Sequence, residues 1–261
     1  MFLEKEIERH LQYFDTGSWQ RLLGLIVESG LFAIFYARLL NLNLENIPSQ
    51  FLLKLKNQYS FNLKRSIMLE KELFSVLGCL DDNNIRAIPL KGPILARHLY
   101  NDAALRRASI AGEIDLLVHK HELIDAENVL RRAGYSTNEG AIENYHKFRN
   151  EVLFCRNDSA SGQFQVDLHW GMGDRFIPAH LEDFWLNAKE IKIGSRCVLL
   201  ASKEDLLLYL SLISIYDGAF IKIRHIYDIH SLIVKFNKEI DWQVLADRAR
   251  QYNLNAMLFL F

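Results

Sequence analysis

The chain has 261 residues, of which 50% are hydrophobic and 24% are charged, and its formal net charge at pH 7 is −1. This composition is typical of a globular protein with one large domain or two small ones, and the near-neutral charge gives no sign of a strongly basic surface for nucleic acid. Cys79, Cys155 and Cys197 are widely spaced and form no CxxC pair, which argues against a disulfide scaffold or a zinc ribbon and favours a reducing compartment.

The sequence has no stretch typical of a signal peptide or a membrane span. Its most apolar segment, residues 30–40, is interrupted by Arg38 and is far shorter than the roughly 20 apolar residues that cross a bilayer. The first residues already include Glu4, Lys5 and Glu6 and lack the apolar run of a secretory signal. We therefore expect a cytoplasmic protein without a membrane partner.

Residues 1–80 are predicted to be helical. Apolar residues recur at helical spacing between residues 22 and 30, after Ser18, which suits the N-cap position. A break at Pro48 separates this part from a long helical pattern that extends to the end of the region. The acidic and amide side chains of residues 81–84 then predict a turn.

A predicted strand, residues 85–90, leads into Lys91 and Gly92 and then into a helical pattern that begins at Pro93. Proline suits the first turn of a helix. Free backbone N–H groups and the helix dipole at such a junction favour a phosphate, so Lys91 and Gly92 are candidate phosphate-binding residues. The same dipeptide also fits an ordinary tight turn.

The segment Gly112–Val118 is predicted to be a short strand that carries two acids among apolar residues. Glu113 and Asp115 share one face of such a strand, with Cα atoms about 6.6 Å apart, so their carboxylates are free to converge on one ion. Desolvated carboxylates this close repel each other, and a divalent cation between them would relieve the repulsion. The alternative is an edge strand whose acids face water.

Farther along, a helix is predicted over residues 123–133 and a β-hairpin over residues 151–170, with its turn at residues 158–162. The second strand of the hairpin alternates between apolar and polar residues, and Asp167 lies on its polar face. If that strand lies beside the first acid pair, Asp167 completes a three-carboxylate cluster. Such clusters hold hard cations such as Mg²⁺ through oxygen ligands.

The C-terminal part is predicted to be helical after a short strand at residues 196–200. A capping-box pattern precedes a very apolar helix over residues 206–215, and further helices are predicted over residues 223–234 and 242–252. The sequence stops in an apolar tail, residues 257–261. Three alternatives stay open for this tail: it packs inward, it is the cut end of a longer chain, or it forms an oligomer contact.

Together these segments resemble the uncharacterised nucleotidyltransferase family of the DNA polymerase beta-like nucleotidyltransferase superfamily, over nearly the whole chain. The strand with the paired acids and the later Asp-Leu-His-Trp strand are its more specific part. The residues that carry the resemblance are Ile47-Pro48, Leu90-Lys91-Gly92, Tyr100, Leu105-Arg106, Glu113–Val118, Gly134-Tyr135, Val166–Trp170, Ile226–Ile229 and Asp241-Trp242.

The resemblance implies an α+β fold, in which a small mixed β-sheet core is flanked by N-terminal and C-terminal helical segments. With the patterns above, it divides the chain into an N-terminal helical region at residues 1–80, a nucleotidyltransferase-like core at residues 81–200 and a C-terminal helical region at residues 201–261. It also implies a metal-dependent transfer of a nucleoside monophosphate from a nucleoside triphosphate (NTP) to an acceptor hydroxyl. The implied cofactor is Mg²⁺ or Mn²⁺. The sequence does not identify the acceptor, which stays open among nucleic acid, protein, antibiotic and small metabolite.

The resemblance assigns roles to the three acids. Glu113, Asp115 and Asp167 would be the catalytic residues and the metal ligands. Glu113 departs from the family pattern, which usually has aspartate at this position, and its extra methylene moves the carboxylate farther from the strand. Pro93 is a second departure, because the wider superfamily prefers another small residue after the glycine.

The resemblance also assigns residues to the nucleotide. Lys91 and Gly92 would bind phosphate, and Arg106 or Arg107 would neutralise the triphosphate. For both arginines the alternative is a solvent-exposed loop without a role in binding.

The remaining polar and aromatic candidates are given weaker or structural roles. His169 shares the polar face with Asp167, which suits either a role beside the metal and acceptor or a structural hydrogen bond. His146 lies in a predicted loop. Trp170, His225 and Asp228 are predicted to belong to the core.

Two other functions stay open from the sequence. A nucleotidyltransferase-like protein could bind nucleotide or a protein partner without turnover, which the departure at Glu113 and the apolar C-terminus favour. A magnesium-dependent phosphodiester hydrolase is the weaker alternative, because three acids alone do not distinguish transfer from hydrolysis.

Overall fold

The computed structural model describes residues 2–42, 47–106, 113–138, 149–159, 162–171, 182–193, 196–216 and 222–254. Several sequence-based predictions lie outside these ranges, because they concern Arg107, Gly112, His146 and the apolar tail at residues 257–261. The middle of the predicted hairpin turn, residues 160–161, lies outside them as well.

The N-terminal part is helical, as predicted. Its helices are α1 (Phe2–Leu11), α2 (Thr16–Ser29), α3 (Phe32–Leu39) and α4 (Ser49–Asp81). Helix α2 begins earlier than a cap at Ser18 would allow, because the Asp15 carboxylate accepts a hydrogen bond from the Ser18 backbone N–H at 2.7 Å and caps the helix. The first half of α4 packs into the N-terminal hydrophobic cluster, where the rings of Trp19 and Phe51 lie 4.7 Å apart.

In the described residues, the middle of the chain forms a four-stranded mixed sheet. Its strands are β1 (Ala87–Pro89), β2 (Glu113–Val118), β3 (Glu151–Asp158) and β4 (Gly162–His169), in the spatial order β1-β2-β4-β3. β1 is antiparallel to β2 and β3 is antiparallel to β4, whereas β2 and β4 are parallel neighbours. The predicted hairpin is therefore present, and its second strand lies beside the acid-bearing strand.

The two faces of this sheet have different surroundings. Apolar side chains of β2 and β4 pack against the second half of α4 and against α6 (Leu123–Arg132). This buried cluster includes Leu69, Leu73 and Val76 of α4, Ile114 and Leu116 of β2, Val166 and Leu168 of β4, and Leu130 of α6. Because side chains alternate along a strand, Asp115 and Asp167 both point away from this cluster.

The remaining described elements surround the sheet. They are α5 (Pro93–Tyr100), α7 (Glu182–Asn187), β5 (Lys189–Ile193), β6 (Arg196–Leu200), α8 (Lys203–Tyr216), α9 (Ile223–Phe236) and α10 (Trp242–Gln251). Strand β6 agrees with the prediction. Its antiparallel partner β5 is not predicted from the sequence, because three of its five residues are charged and the strand is partly exposed. Ser202 caps α8 by accepting the Asp205 N–H at 3.1 Å, as the capping-box pattern predicts. No helix in the described ranges is long and apolar enough to cross a membrane.

His98 on α5 is expected to reduce the stability of the protein in mild acid. Its ring stacks on Phe236 at 4.8 Å, and burial together with the charges of Lys235 and Lys203 lowers its pKa to about 4, against an opposing effect of Glu239. The ordinary pKa of a histidine is 6.5. Below that pH the unfolded chain binds a proton that the buried ring does not yet bind, so the protein loses stability as the pH falls from 6.5 towards 4. Between pH 6.5 and pH 4, the unfolding free energy of the wild type should therefore fall by about 2 kcal/mol more than that of the His98→Phe variant. Urea denaturation at a series of pH values measures this difference. Parallel pH profiles for the two proteins would contradict this expectation.

Candidate active site

Asp115 and Asp167 lie side by side in the sheet. They are register partners on the parallel strands β2 and β4, which usually lie about 4.8 Å apart. The Asp115 side chain is 2% exposed and that of Asp167 is 23% exposed. The structure therefore brings together two of the three acids that the sequence analysis assigns to the metal.

Lys91 reaches the same point from the junction between β1 and α5. Its Nζ atom lies 2.9 Å from Asp115 Oδ1. The Leu90 N–H donates to the Asp115 carbonyl oxygen at 3.0 Å, which holds the junction against β2. Gly92 follows with a φ angle of 77°, and a Cβ there would lie 3.4 Å from the carbonyl oxygen of Glu113, so this tight turn favours glycine. Lys91, expected to bind phosphate, is thus also the ion-pair partner of a predicted metal ligand.

The two aspartates differ in their electrostatic surroundings. Burial acts to raise the pKa of Asp115, but Lys91 and His169 outweigh it and lower this pKa to about 2. Burial acts to lower the pKa of Lys91, but the Asp115 carboxylate outweighs it and raises this pKa well above its ordinary value. Burial raises the pKa of Asp167 to about 6. The charge of His169 acts to lower this pKa but offsets burial only in part, and the negative charge of Asp115 raises it further. Asp115 is therefore firmly ionised at neutral pH, whereas ionisation of Asp167 has a cost.

His169 connects the aspartates to a further acid. Its Nε2 atom lies 3.3 Å from Asp115 Oδ1 and 3.6 Å from Asp167 Oδ2, and its Nδ1 atom lies 3.2 Å from Glu151 Oε2. Burial lowers the pKa of His169, but the hydrogen bonds to Asp115 and Glu151 outweigh this effect and raise it to about 10. Among the described residues, Asp115, Asp167 and His169 are a group of metal-ligating side chains whose ligand atoms all lie within 4.8 Å of one another.

Glu151 is a functional candidate that the sequence analysis does not single out. Its position as the register partner of His169 follows from the antiparallel pairing of β3 and β4. The pairing of Glu151 with His169 could be predicted from the hairpin in principle, because the length of the turn determines which residues pair across the two strands. A shift of the register by one residue would remove the contact.

Glu113 takes a different position from the other two predicted ligands. It lies two residues before Asp115 on β2 and lines the same cavity. However, Glu113 is exposed, pairs with Gln165 in the sheet and does not belong to the group of ligand atoms within 4.8 Å of one another in the described residues. Its role as a metal ligand therefore stays a prediction.

A cavity of about 380 Å³ lies against this part of the sheet. Lys91, Gly92, Glu113 and Asp115 form part of its wall. Other parts come from the N-terminal helices, from α4 and from the region around the start of α9, including Leu31, Ile34, Leu69, Lys222, Arg224 and Tyr227. The cavity therefore combines carboxylates, several cationic side chains and an aliphatic surface, which suits a ligand with both charged and apolar parts.

Arg106 is fixed in the wall of this cavity by α9. Its Nε atom donates to Asp228 Oδ2 at 3.0 Å, and the Tyr100 hydroxyl donates to Asp228 Oδ1 at 2.7 Å. The Asn62 side chain donates to the Arg106 carbonyl oxygen at 2.9 Å and so supports the same segment from α4.

Asp228 is buried, as predicted, but it also lines the cavity as the partner of Arg106. His225 is likewise buried and lines the cavity, whereas Trp170 belongs to the hydrophobic cluster behind the sheet.

A small mixed sheet that pairs two aspartates across parallel strands, beside a cavity with lysine and arginine, is the framework expected of a nucleotidyltransferase. The model of the uncharacterised nucleotidyltransferase family matches residues 15–261. The chain therefore belongs to that family, in agreement with the resemblance seen in its sequence.

Several solved structures are similar to this chain at low sequence identity. The antibiotic-resistance factor ANT(2'')-Ia is 15% identical, with coverage of 73% of this chain and 97% of that chain and a TM-score of 0.45. The lincosamide antibiotic adenylyltransferase LnuA is 17% identical, with coverage of 62% and 95% and a TM-score of 0.42. An antigenic nucleotidyltransferase-like protein from Paracoccidioides brasiliensis is 15% identical, with coverage of 77% and 92% and a TM-score of 0.38. None of the curated proteins compared with the chain matches it.

Proposed function

We propose that this protein transfers a nucleoside monophosphate from an NTP to an acceptor hydroxyl in a metal-dependent reaction. The observation that carries the proposal is the register pairing of Asp115 and Asp167 beside a cavity that also presents Lys91 and Arg106. Membership of the nucleotidyltransferase family supports the same reaction class. A cytoplasmic location stays a prediction from the sequence.

The residues present fit a divalent cation. Asp115 and Asp167 offer the carboxylate oxygens that Mg²⁺ and Mn²⁺ accept, and their ligand atoms are close enough to share one ion. When bound, such an ion stabilises the charge that develops on the attacking and leaving oxygens of an in-line displacement. Lys91 forms its ion pair with Asp115 Oδ1, the oxygen that also lies near His169, so an ion bound through this oxygen would displace Lys91.

The chain's own residues then have distinct tasks. Lys91, once released from Asp115, and Arg106, held by Asp228, neutralise the triphosphate. Asp167 would take up the proton of the acceptor hydroxyl as the acceptor oxygen attacks the α-phosphorus. The new P–O bond forms as the bond to the β-phosphate oxygen breaks, and pyrophosphate leaves.

A nucleotide-binding protein without turnover is the second candidate. The ion pairs that Lys91 and His169 form with Asp115 favour it, because they already balance the charge of that carboxylate. The exposed position of Glu113 outside the ligand group favours it too.

The deciding experiment measures turnover directly. The full chain is incubated with each labelled NTP and with Mg²⁺ or Mn²⁺, in the presence of separate acceptor panels of nucleic acid, protein, aminoglycoside, lincosamide and small metabolite. Release of pyrophosphate with label on an acceptor or on the protein itself supports the transferase. Metal-dependent nucleotide binding without pyrophosphate release supports the binding protein, and cleavage of a phosphodiester without an NTP supports a hydrolase.

Variants at Glu113 test whether this residue contributes to the metal site. Glu113→Asp should keep or raise Mg²⁺-dependent turnover, because aspartate is the usual family residue. Glu113→Gln should lower turnover and metal-dependent nucleotide binding at least about tenfold, about 1.4 kcal/mol, because it keeps the length and removes the charge that favours Mg²⁺. Both quantities are measured for the two variants and the wild type. Equal nucleotide binding by all three without turnover in any of them would exclude the transferase.

A further inference from the structure

We propose that His169 is itself a metal ligand, through Nε2, and that Glu151 positions its ring, so that the site prefers Mn²⁺ or a similar transition-metal ion to Mg²⁺. The proposed site consists of Asp115, Asp167 and His169, with Glu151 behind the imidazole. The inference rests on the proposed function for the expectation that a divalent ion binds, but not for the reaction.

The spacing of the three groups fits one ion. Two ligands at right angles, each about 2.1 Å from an octahedral ion, are about 3 Å apart. The His169 Nε2 atom lies 3.3 Å from Asp115 Oδ1 and 3.6 Å from Asp167 Oδ2. Small side-chain movements therefore suffice to bring all three atoms to a common ion.

The orientation of the His169 ring also suits a metal ligand. Its Nδ1 atom faces Glu151 Oε2 at 3.2 Å, which leaves Nε2 directed at the two aspartates. A metal-ligating histidine usually donates its other ring N–H to a carboxylate, which fixes the tautomer and the ring orientation. The pairing of β3 with β4 supplies that carboxylate, since Glu151 is the register partner of His169. The histidine side chain is only 8% exposed, so its surroundings hold this orientation.

Binding of the ion replaces the positive charges now present at the site. Lys91 Nζ lies 2.9 Å from the Asp115 oxygen and leaves it when the ion arrives. A ligating Nε2 atom carries no proton, so any proton on it passes to solvent as the ion binds. Lys91 is long and partly exposed, which allows its ammonium group to turn towards the cavity that it also lines.

A ligand set with one imidazole changes the preferred ion. Carboxylates alone suit Mg²⁺, Ca²⁺ and Mn²⁺, whereas imidazole nitrogen favours transition-metal ions. We therefore expect the protein to bind Mn²⁺ at least about tenfold more tightly than Mg²⁺. Glu151→Gln should weaken Mn²⁺ binding by about 10- to 100-fold, because it removes the charge that orients the ring.

The test detects the nitrogen ligand directly. Mn²⁺ is added to the full chain without nucleotide, and electron spin echo envelope modulation of the bound ion is recorded. A ¹⁴N modulation typical of directly bound imidazole is expected in the wild type and in the control variant His230→Gln, which changes an exposed histidine of α9. The modulation should be lost in His169→Gln. Growth with ¹⁵N-labelled histidine should replace the ¹⁴N modulation by ¹⁵N modulation in the unmutated protein. If His169→Gln fails to fold, this result still shows that the ligand is a histidine, and an unchanged ¹⁴N signal would overturn the inference.

The outcomes separate this inference from the proposed function. Bound Mn²⁺ without nitrogen modulation, or modulation that survives in a folded His169→Gln variant, would overturn the inference and leave the transferase proposal intact. An equal or higher affinity for Mg²⁺ would overturn the stated preference. Nitrogen modulation in a protein that shows no turnover would support the metal site and count against the transferase.

Discussion

Asp115→Asn and Asp167→Asn should both reduce nucleotidyl transfer at least about 1000-fold, which corresponds to about 4 kcal/mol of lost transition-state stabilisation. Each variant removes a carboxylate from the pair that lies in register on β2 and β4. An amide oxygen has no net charge to attract a divalent ion, so metal affinity should fall with activity. Turnover with saturating NTP and metal, together with Mn²⁺ binding, measures the two effects.

The same two variants should shift the stability of the metal-free protein in opposite directions. Asp115→Asn leaves the buried positive charges of Lys91 and His169 without their common partner, which should lower the unfolding free energy by about 2–3 kcal/mol. Asp167→Asn removes a carboxylate whose pKa burial raises to about 6, so it should leave stability unchanged or raise it by about 1–2 kcal/mol at pH 7. From the sequence alone, Asp115→Asn is expected to relieve repulsion between carboxylates and so to keep or raise stability. Because Lys91 and His169 are paired with Asp115, the structure predicts this effect for Asp167→Asn instead.

Urea denaturation in the presence of a chelator distinguishes these expectations. Loss of stability in both variants would show that Asp167 also has a structural role through His169. Equal stability of all three proteins would show that the ion pair of Asp115 contributes nothing to the fold. Either result leaves the activity measurement interpretable, because each folded variant is assayed separately.

Lys91→Met is expected to separate metal binding from nucleotide binding. Loss of the ammonium group frees the Asp115 oxygen, so the affinity for Mn²⁺ without nucleotide should rise about tenfold, about 1.4 kcal/mol. The same change removes a cation from the cavity, so NTP affinity should fall at least about tenfold and turnover with it. Calorimetric titration with metal alone and then with NTP at saturating metal gives both constants.

The control for this variant is Lys238→Met, which removes the same charge from an exposed position after α9. It should change neither constant. Weaker metal binding by Lys91→Met would contradict the displacement of Lys91 by the ion. It would indicate that the lysine instead holds Asp115 in its binding position.

The sequence predicts the parts of the site that depend on local pattern. Alternation along two strands puts Asp115 and Asp167 on polar faces, and the strand-to-helix junction places Lys91 and Gly92 at the start of α5. The pairing of β2 with β4 is a long-range event, because parallel neighbours are joined by a long crossover. From the sequence, this pairing is therefore only a condition for the cluster, and the structure meets it.

Contacts between side chains that are far apart in the sequence cannot be predicted from local pattern. Asp228 is predicted to be buried, and helical spacing gives no information about Arg106, which lies 122 positions earlier in the chain. Glu151 is similar, since its contact with His169 depends on hairpin register. Glu113 stays a prediction, because it shares a direction with Asp115 on the strand but lies at the exposed end of β2.

Helix α4 connects the N-terminal helices with the sheet that carries Asp115 and Asp167. Its 33 residues make a continuous rod about 50 Å long. One half packs among the N-terminal helices and the other half against the sheet, and Leu69 lines the cavity together with Leu31 and Ile34. Substitutions at Leu31 and Ile34 can therefore reshape the wall of the cavity on the N-terminal side without changing the residues of the sheet that carry Asp115 and Asp167. A library varied at Leu31 and Ile34 alone would thus test whether this wall of the cavity selects the ligand, with the polar groups of β2 and β4 left unchanged.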